Sequence, residues 1–362
     1  MGELCRGAIP EGIGLTLTCL EDELARTIYL GSRALKIETV LLQYLPDIIV
    51  FDSAHSRSPK TVLSSVAVAH LDIASNQFSS QSISGSVATM APQRKSIVVT
   101  GGASGIGLGI TRSFAEQGAH ISVLDVNSEG DNIVKALSSD FSDASFSFTK
   151  TDISNWDELA AAFEQIYRDQ GRIDVVMANA GISKEVKLNI DEETPSKPSL
   201  PSLDVNLVGT IYTVKLAIHY IKKNTTVNGA SPASKGSIVC TASNAGLYPF
   251  PVAPIYAAGK AGVINLVRSL ARPLGLDAIQ INALAPAVLE TNIAPSKDLF
   301  KPMIVTPMST LTRGVQQLVS NPSLTGQVAE IHGSEVTLAE SPAYVDEDTG
   351  KNIETFWSLG YA

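Results

Sequence analysis

The sequence predicts an α/β protein: a doubly wound, mostly parallel sheet of seven strands in one domain, preceded by an N-terminal extension. Three observations carry that expectation. From Met90 onward, short apolar runs alternate with stretches of helical spacing, which is the rhythm of βαβ units. The runs are continuously apolar, as strands covered on both faces must be. The first run, SIVVT, ends at a glycine-rich turn that leads directly into a helical stretch.

Taken in order, SIVVT (96–100) is the first strand and LGITRSFAEQG (108–118) the first helix. HISVLDV (120–126) is a second strand, and SFSFTKTD (145–152), less apolar, a third. NWDELAAAFEQIYRDQG (155–171) repeats apolar residues at helical intervals, and RIDVVMANAG (172–181) follows as a fourth strand. LDVNLVGTIYTVKLAIHYIKK (203–223) is a long helix, GSIVCTAS (236–243) a strand, and PIYAAGKAGVINLVRSLAR (254–272) a second long helix. AIQINALAP (278–286) and GQVAEIH (326–332) complete the sheet.

The chain divides near Met90. Residues 21–51 have helix-like apolar spacing, and serines crowd the stretch from Ser53 to Ser86, so 53–89 reads as a Ser-rich linker. MAPQRKSIVVTGG resembles the beginning of a protein, and residues 90–362 are expected to form the complete catalytic domain. Residues 1–89 are then expected to be dispensable, either a poorly ordered extension or a consequence of where the reading frame was begun. The rival expectation is a regulatory or docking segment built on 21–51.

Composition narrows the function. The chain of 362 residues is 44% apolar and 17% charged, with a net charge of −9. That is enough apolar bulk for a core, and without a Lys/Arg cluster a nucleic-acid partner is not expected. Three scattered cysteines (Cys5, Cys19, Cys240) suit a reducing compartment, and the five histidines lack ligand spacing, so no metal is expected. No apolar run approaches the roughly 20 residues of a membrane span. The first residues lack the basic start of a secretory signal and the acid-poor character of a presequence, which leaves the cytoplasm as the expected location.

The chemistry begins in TGGASGIG (100–107). Gly101 permits a tight turn, Gly105 lets the backbone approach a pyrophosphate, and Gly107 allows close helix–strand packing. The helix N-terminus behind them offers free N–H groups to a phosphate. Asp125 closes the second strand, where a carboxylate can accept hydrogen bonds from ribose hydroxyls and repel a 2′-phosphate. No Arg or Lys follows closely, so NAD is expected and NADP less so. Tyr256 and Lys260 stand at i and i+4 on one helix, so the ammonium can act on the phenol. Ser243 closes a strand at the sheet edge where parallel sheets bind ligands.

Together these residues resemble the short-chain dehydrogenase/reductase family, whose fold is a Rossmann sheet, from about Ser96 to the C-terminus. The family's T-G-x3-G-x-G is Thr100, Gly101, Gly105 and Gly107, and its adenine-side aspartate is Asp152. Its N-A-G is Asn179, Ala180 and Gly181, and its helix asparagine is Asn206. Its serine is Ser243, and its Y-x3-K is Tyr256 and Lys260. The segment INALAPAVLET has Ala287 where the family has glycine, and Ala178 replaces the first of a usual asparagine pair.

The resemblance implies that Ser104, Ile106, Ile153, Pro286, Val288 and Thr291 join these in binding the cofactor. It further implies that Tyr256 exchanges a proton with the substrate oxygen while Ser243 orients that oxygen. Lys260 would lower the Tyr256 pKa and hold the nicotinamide ribose, and Asn206 would position a water in a relay to Lys260. Leu247, Tyr248 and Phe250, with Ser243 and Tyr256, suggest a pocket for a hydrophobic alcohol or ketone, although such residues between core elements more often serve plain packing. Residues 292–310 correspond to the family's substrate lid. The C-terminal tail is similar to those of NAD-dependent 15-hydroxyprostaglandin-dehydrogenase-like members, and related chains serve natural-product pathways. A homodimer or homotetramer is expected. A non-catalytic dinucleotide sensor and an epimerase or dehydratase are the alternatives.

Overall fold

The computed structural model describes residues 94–184, 188, 192–225, 234–291 and 297–360. The expected extension at 1–89, with its helix-like and Ser-rich parts, lies outside the described residues.

The elements follow in chain order. Strand β1 (Ser96–Thr100) leads to helix α1 (Gly105–Ala115), then β2 (His120–Asp125), α2 (Gly130–Asp140), β3 (Ser145–Lys150) and α3 (Trp156–Gln170). After β4 (Val175–Ala178), a short turn at Pro201–Leu203 and a π-helical segment at Asp204–Gly209 lead into α4 (Thr210–Ile221). Next come β5 (Gly236–Thr241), α5 (Pro254–Leu276), β6 (Ile279–Pro286), α6 (Met308–Ser320), β7 (Val328–His332), β8 (Glu335–Leu338) and α7 (Glu347–Leu359).

The sheet has eight strands in the order β3-β2-β1-β4-β5-β6-β7-β8, and only the β7–β8 pair is antiparallel. The doubly wound, mostly parallel sheet is therefore present, with one strand more than the seven expected. The extra strand is a hairpin return. His332 pairs with Glu335 across Gly333 and Ser334, and Gly333 takes a φ of 49°, the left-handed geometry of two-residue hairpin turns. Val336 and Leu338 face the core while Glu335 stays exposed, so the added strand covers one face of an edge.

Each strand feeds two cores because its side chains alternate. Val98, Val176, Ile238 and Ile281 pack under α3, α4 and α5 with Leu159, Phe163, Val214 and Val267. Ile97, Val99, Met177 and Val239 pack on the other face with Ile110 and Phe114 of α1 and Leu311, Val315 and Leu318 of α6. Strand β3 is half-buried from Ser145 to Phe148 and exposed at Thr149 and Lys150, as its mixed sequence SFSFTK foretells for an edge. The switch in winding direction falls between β1 and β4, where a crevice opens at the carboxyl ends of the strands. Helix α7 buries none of its residues and is tied to α5 through Arg272, which pairs with Glu354 at 2.8 Å and lies 5.5 Å over the Trp357 ring. Among the described residues, no helix is long and apolar enough to cross a membrane.

One backbone position is strained. Ala278, between α5 and β6, has a φ of 59°, at a place where a helix usually ends in glycine. The left-handed conformation costs an L-residue roughly 1–2 kcal/mol, partly offset by the lower unfolded-state entropy of alanine. Ala278→Gly should therefore stabilise the protein by about 0.5–1 kcal/mol, seen as a higher urea midpoint with an unchanged slope.

Candidate active site

The site begins where β1 turns into α1. Gly101 and Gly105 both have positive φ, at 65° and 49°. Gly107 has no room for a side chain: a Cβ there would lie 1.9 Å from the Gly101 carbonyl oxygen and 2.7 Å from Asn179 Nδ2. The turn is thus folded onto itself and onto the end of β4.

Thr100 and Asn179 lock this arrangement. Thr100 Oγ1 accepts from the Asn179 and Ala180 N–H groups at 3.0 and 3.1 Å. Asn179 Nδ2 donates to the Thr100 and Gly101 carbonyls at 3.1 and 3.4 Å, and its Oδ1 accepts from Thr241 Oγ1 at 3.1 Å. The ends of β1, β4 and β5 are tied through one amide. Asp125 braces the turn from the other side, its two oxygens accepting from Ala103 N and Asn127 N, each at 3.0 Å.

The mouth of the turn is suited to an anion. Ser104 begins α1 without a side-chain cap, and the first turn holds no acid, so the leading N–H groups and the helix dipole face outward unspent. Ile106 leans partly on the core. Thr291 approaches from the segment after β6, with its Cβ 3.4 Å from where a Gly105 Cβ would be. That segment leaves Pro286 at the end of β6, and the Val288 carbonyl accepts from Thr306 N at 2.7 Å. Ala287, at the family's glycine position, is absent from the residues of positive φ, so the substitution asks nothing unusual of the backbone. Asp152 Oδ1 accepts from Ser154 N and Oγ at 2.9 and 2.7 Å, and Ile153 is buried against the π-helical segment.

The second half of the site lies on α5 and the end of β5. Ser243 and Tyr256 are joined by a side-chain hydrogen bond. Ser243 Oγ also accepts from Ala245 N at 3.1 Å, which fixes the hydroxyl at the head of the short 3₁₀ turn Asn244–Gly246. Lys260 is 3% exposed; its Nζ donates to the Thr241 carbonyl at 2.7 Å and sits 5.6 Å from the centre of the Tyr256 ring. Gly181 brings β4 against both groups, since a Cβ there would lie 3.1 Å from Asn206 Oδ1 and 3.4 Å from Lys260 Nζ. Asn206, fully buried in the π-helical segment, accepts from Ile182 N and donates to Ile182 O, both at 2.8 Å. Its side-chain amide is thus engaged with backbone at the site's floor.

Burial sets the electrostatics. It lowers the Lys260 pKa from 10.5 to about 8, and it pushes the neighbouring Cys240 thiol up to about 12. Tyr256 is raised above the ordinary phenol value by burial, with the Ser243 hydrogen bond pulling the other way. The expected lowering of Tyr256 by Lys260 does not figure among the causes of its shift: burial raises the phenol, and it is the Ser243 hydrogen bond that opposes burial.

Of the expected substrate residues, Leu247 packs partly on the core, while Tyr248 is exposed and its hydroxyl donates to Glu330 Oε2 at 2.9 Å. Residues 292–296 of the expected lid lie outside the described residues. Phe250, expected in the same substrate pocket, lies beside Tyr256, its ring centre 6.4 Å away. Two participants escaped the sequence reading. Thr241 acts on Lys260 through its carbonyl, which no side-chain pattern can announce. Thr306 closes the base of the 288–306 loop and accepts from Gly333 N at 3.1 Å.

These residues fit a dinucleotide. Gly101 and Gly107 leave no space for side chains, unspent N–H groups stand at the α1 terminus, and a carboxylate closes β2. A buried ammonium lies beyond them.

Below pH 8 the buried Lys260 ammonium carries a penalty that unfolding relieves. Between about 8 and 10.5 the folded protein has lost this proton and the unfolded chain retains it, so stability rises with pH across that window. Lys260→Met should be more stable than the parent at pH 7 by about 2 kcal/mol, with the difference shrinking as pH passes from 8 to 10. Urea titrations at several pH values check this.

The family description "short chain dehydrogenase" matches residues 95–301. A short-chain dehydrogenase/reductase of Penicillium rubens is 30% identical over 262 residues, covering 66% of this chain and 89% of that relative. Another, of Penicillium roqueforti, is 38% identical over 205 residues, and the match spans 56% of each chain. The solved structure of ElxO with NADP bound superposes with a TM-score of 0.57 at 26% identity, covering 66% of this chain and 97% of that one. The glycine turn, the Ser243–Tyr256–Lys260 corner and these likenesses agree: the chain belongs to the short-chain dehydrogenase/reductase family, oxidoreductases that act on CH–OH groups with a nicotinamide dinucleotide.

Proposed function

We propose that the protein interconverts a secondary alcohol and a ketone on a hydrophobic small molecule, with NAD preferred over NADP. The observation that carries this reading is the Ser243–Tyr256 hydrogen bond with Lys260 buried one helical turn behind it, at the strand ends beside the glycine turn.

Thr100 to Gly107, Asp125, Asp152, Asn179 to Gly181 and the segment from Pro286 to Thr291 would hold the dinucleotide, with Lys260 at its ribose. When bound, the nicotinamide supplies or accepts the hydride. In the reducing direction Ser243 Oγ donates a hydrogen bond to the carbonyl oxygen and Tyr256 Oη delivers a proton to it. Oxidation runs the same transfers in reverse. Burial keeps the Tyr256 proton in place at neutral pH, which suits an acid and makes oxidation faster as pH rises. Lys260 keeps a positive charge beside the phenol, and Asn206 anchors the floor on which Lys260 rests.

The preference for NAD rests on Asp125, after which the sequence holds no Lys or Arg before Lys135, although Lys150 stands in register with it on β3. A carboxylate there accepts from ribose hydroxyls and repels a 2′-phosphate. Exposed apolar residues at Met303, Ile304 and Val305 support a hydrophobic substrate, as does the tail's similarity to 15-hydroxyprostaglandin-dehydrogenase-like chains. The proposed setting is lipid or natural-product metabolism. A homo-oligomer in the cytoplasm completes the reading, with the exposed Trp156 and Ile211 on the α3–α4 face as the surface for a second copy. Residues 90–362 would suffice for catalysis.

NADH absorbance against a panel of hydrophobic alcohols and ketones tests the activity. Tyr256→Phe should lose roughly 10²–10⁴-fold in kcat while binding NADH as the parent does. Turnover of no alcohol or ketone despite tight NADH binding would overturn the reading. Asp125→Ser should shift the ratio of NADH to NADPH turnover toward NADPH, and an unchanged ratio would remove the basis for NAD preference.

A further inference from the structure

Phe250 is a large aromatic residue beside Tyr256 that belongs to neither core. It is 39% exposed and stands outside both packed clusters. A single exposed phenylalanine is ordinary on a protein surface. Two features set this one apart.

The first is position. The Phe250 ring centre is 6.4 Å from that of Tyr256, and the planes are tilted by 52°. That spacing lies within the range of favourable aromatic pairs, and over a third of Phe250 remains exposed. The second is rigidity. Phe250 lies between Pro249 and Pro251, which fix their own φ and restrict the residue between them. Its carbonyl accepts from Ala253 N at 3.2 Å, and Tyr248 N is held by Asn244 O at 2.8 Å. Tyr248 also fastens the loop to β7 through Glu330 at 2.9 Å. An exposed ring held this firmly has already lost the freedom that binding would remove.

We infer that Phe250 is a specificity-determining residue that receives the flat ring of a cyclic aromatic ketone or alcohol beside Tyr256, so that ring substrates are preferred over linear ones. The inference rests on the proposed alcohol–ketone chemistry and names its substrate class. A flat ring can stack on, or meet edge-on, a fixed aromatic surface, whereas a linear chain must also give up several rotors to lie along it.

The experiment compares 1-tetralone, a fused-ring aryl ketone, with 2-decanone, a linear ketone of equal carbon count. Steady-state kinetics are measured for the parent, Phe250→Leu and Phe250→Trp. Phe250→Leu should lower the tetralone-to-decanone ratio of kcat/KM by about tenfold, mainly through KM for tetralone, and Phe250→Trp should restore most of it. If Phe250 merely steadied Tyr256, both ketones would suffer equally and the ratio would not move, which overturns the inference. Calorimetric titration of 1-tetralone into the parent and Phe250→Leu proteins saturated with NAD⁺, which has no hydride to give the ketone, gives a second reading. Parental affinity in the leucine variant overturns the inference, and about tenfold weaker binding supports it. Should the parent turn over neither ketone nor any other carbonyl, the proposed chemistry fails, while the titration still decides the role of Phe250.

Discussion

The site depends on one close approach, the Cα of Gly107 against the carbonyl of Gly101. Nothing larger than hydrogen fits between them, so the chain can leave β1 and enter α1 within a few residues. That turn aims the unspent N–H groups of α1 into the crevice where the sheet reverses its winding. Thr100 and Asn179 then clamp it to β4, and Thr241 extends the clamp to β5. A dinucleotide cradle and the Ser243–Tyr256–Lys260 corner are thereby held in a single hydrogen-bonded frame. Asn179, expected to touch the cofactor, has both ends of its amide engaged in building that frame.

Burial is the second constraint. Lys260 is held in a nearly dry corner by the Thr241 carbonyl, and burial brings its pKa to about 8. Tyr256 is pushed the other way. An alkylammonium and a phenol that differ little in their ordinary affinity for protons are thus moved apart in opposite senses, with Ser243 moderating the phenol. The corner stores this destabilisation inside a sheet whose two well-packed faces can carry it.

Much of this was legible in the residues. The seven parallel strands, the glycine turn, Asp125, Ser243, Tyr256 and Lys260 each have a local signature, because strand periodicity, glycine geometry and i,i+4 spacing are local facts. Ser243 and Tyr256 meet because β5 and α5 are adjacent βα neighbours, which the alternation of elements already implies. The eighth strand carried a signal, Gly333-Ser334 between two short apolar runs, that is easily absorbed into a tail. Helix α6 went unread: only its first turn, Met308–Thr310, overlaps the expected lid, and Leu311, Val315 and Leu318 beyond it have helical spacing. The balance between burial and charge at Tyr256 was not legible, since it depends on how much protein surrounds the phenol. The carbonyl of Thr241 was invisible for a similar reason: it acts through tertiary placement.

The central claim is that this corner moves a hydride to a carbonyl carbon and a proton to its oxygen. The most direct test is to supply NADH deuterated at both C4 positions with a ketone substrate and analyse the alcohol by mass spectrometry and NMR. The account predicts one deuterium on the carbinol carbon of the alcohol formed by the parent protein, with formation suppressed in the Tyr256→Phe variant. An alcohol that carries only solvent hydrogen at that carbon, or undiminished formation by the variant, would contradict it.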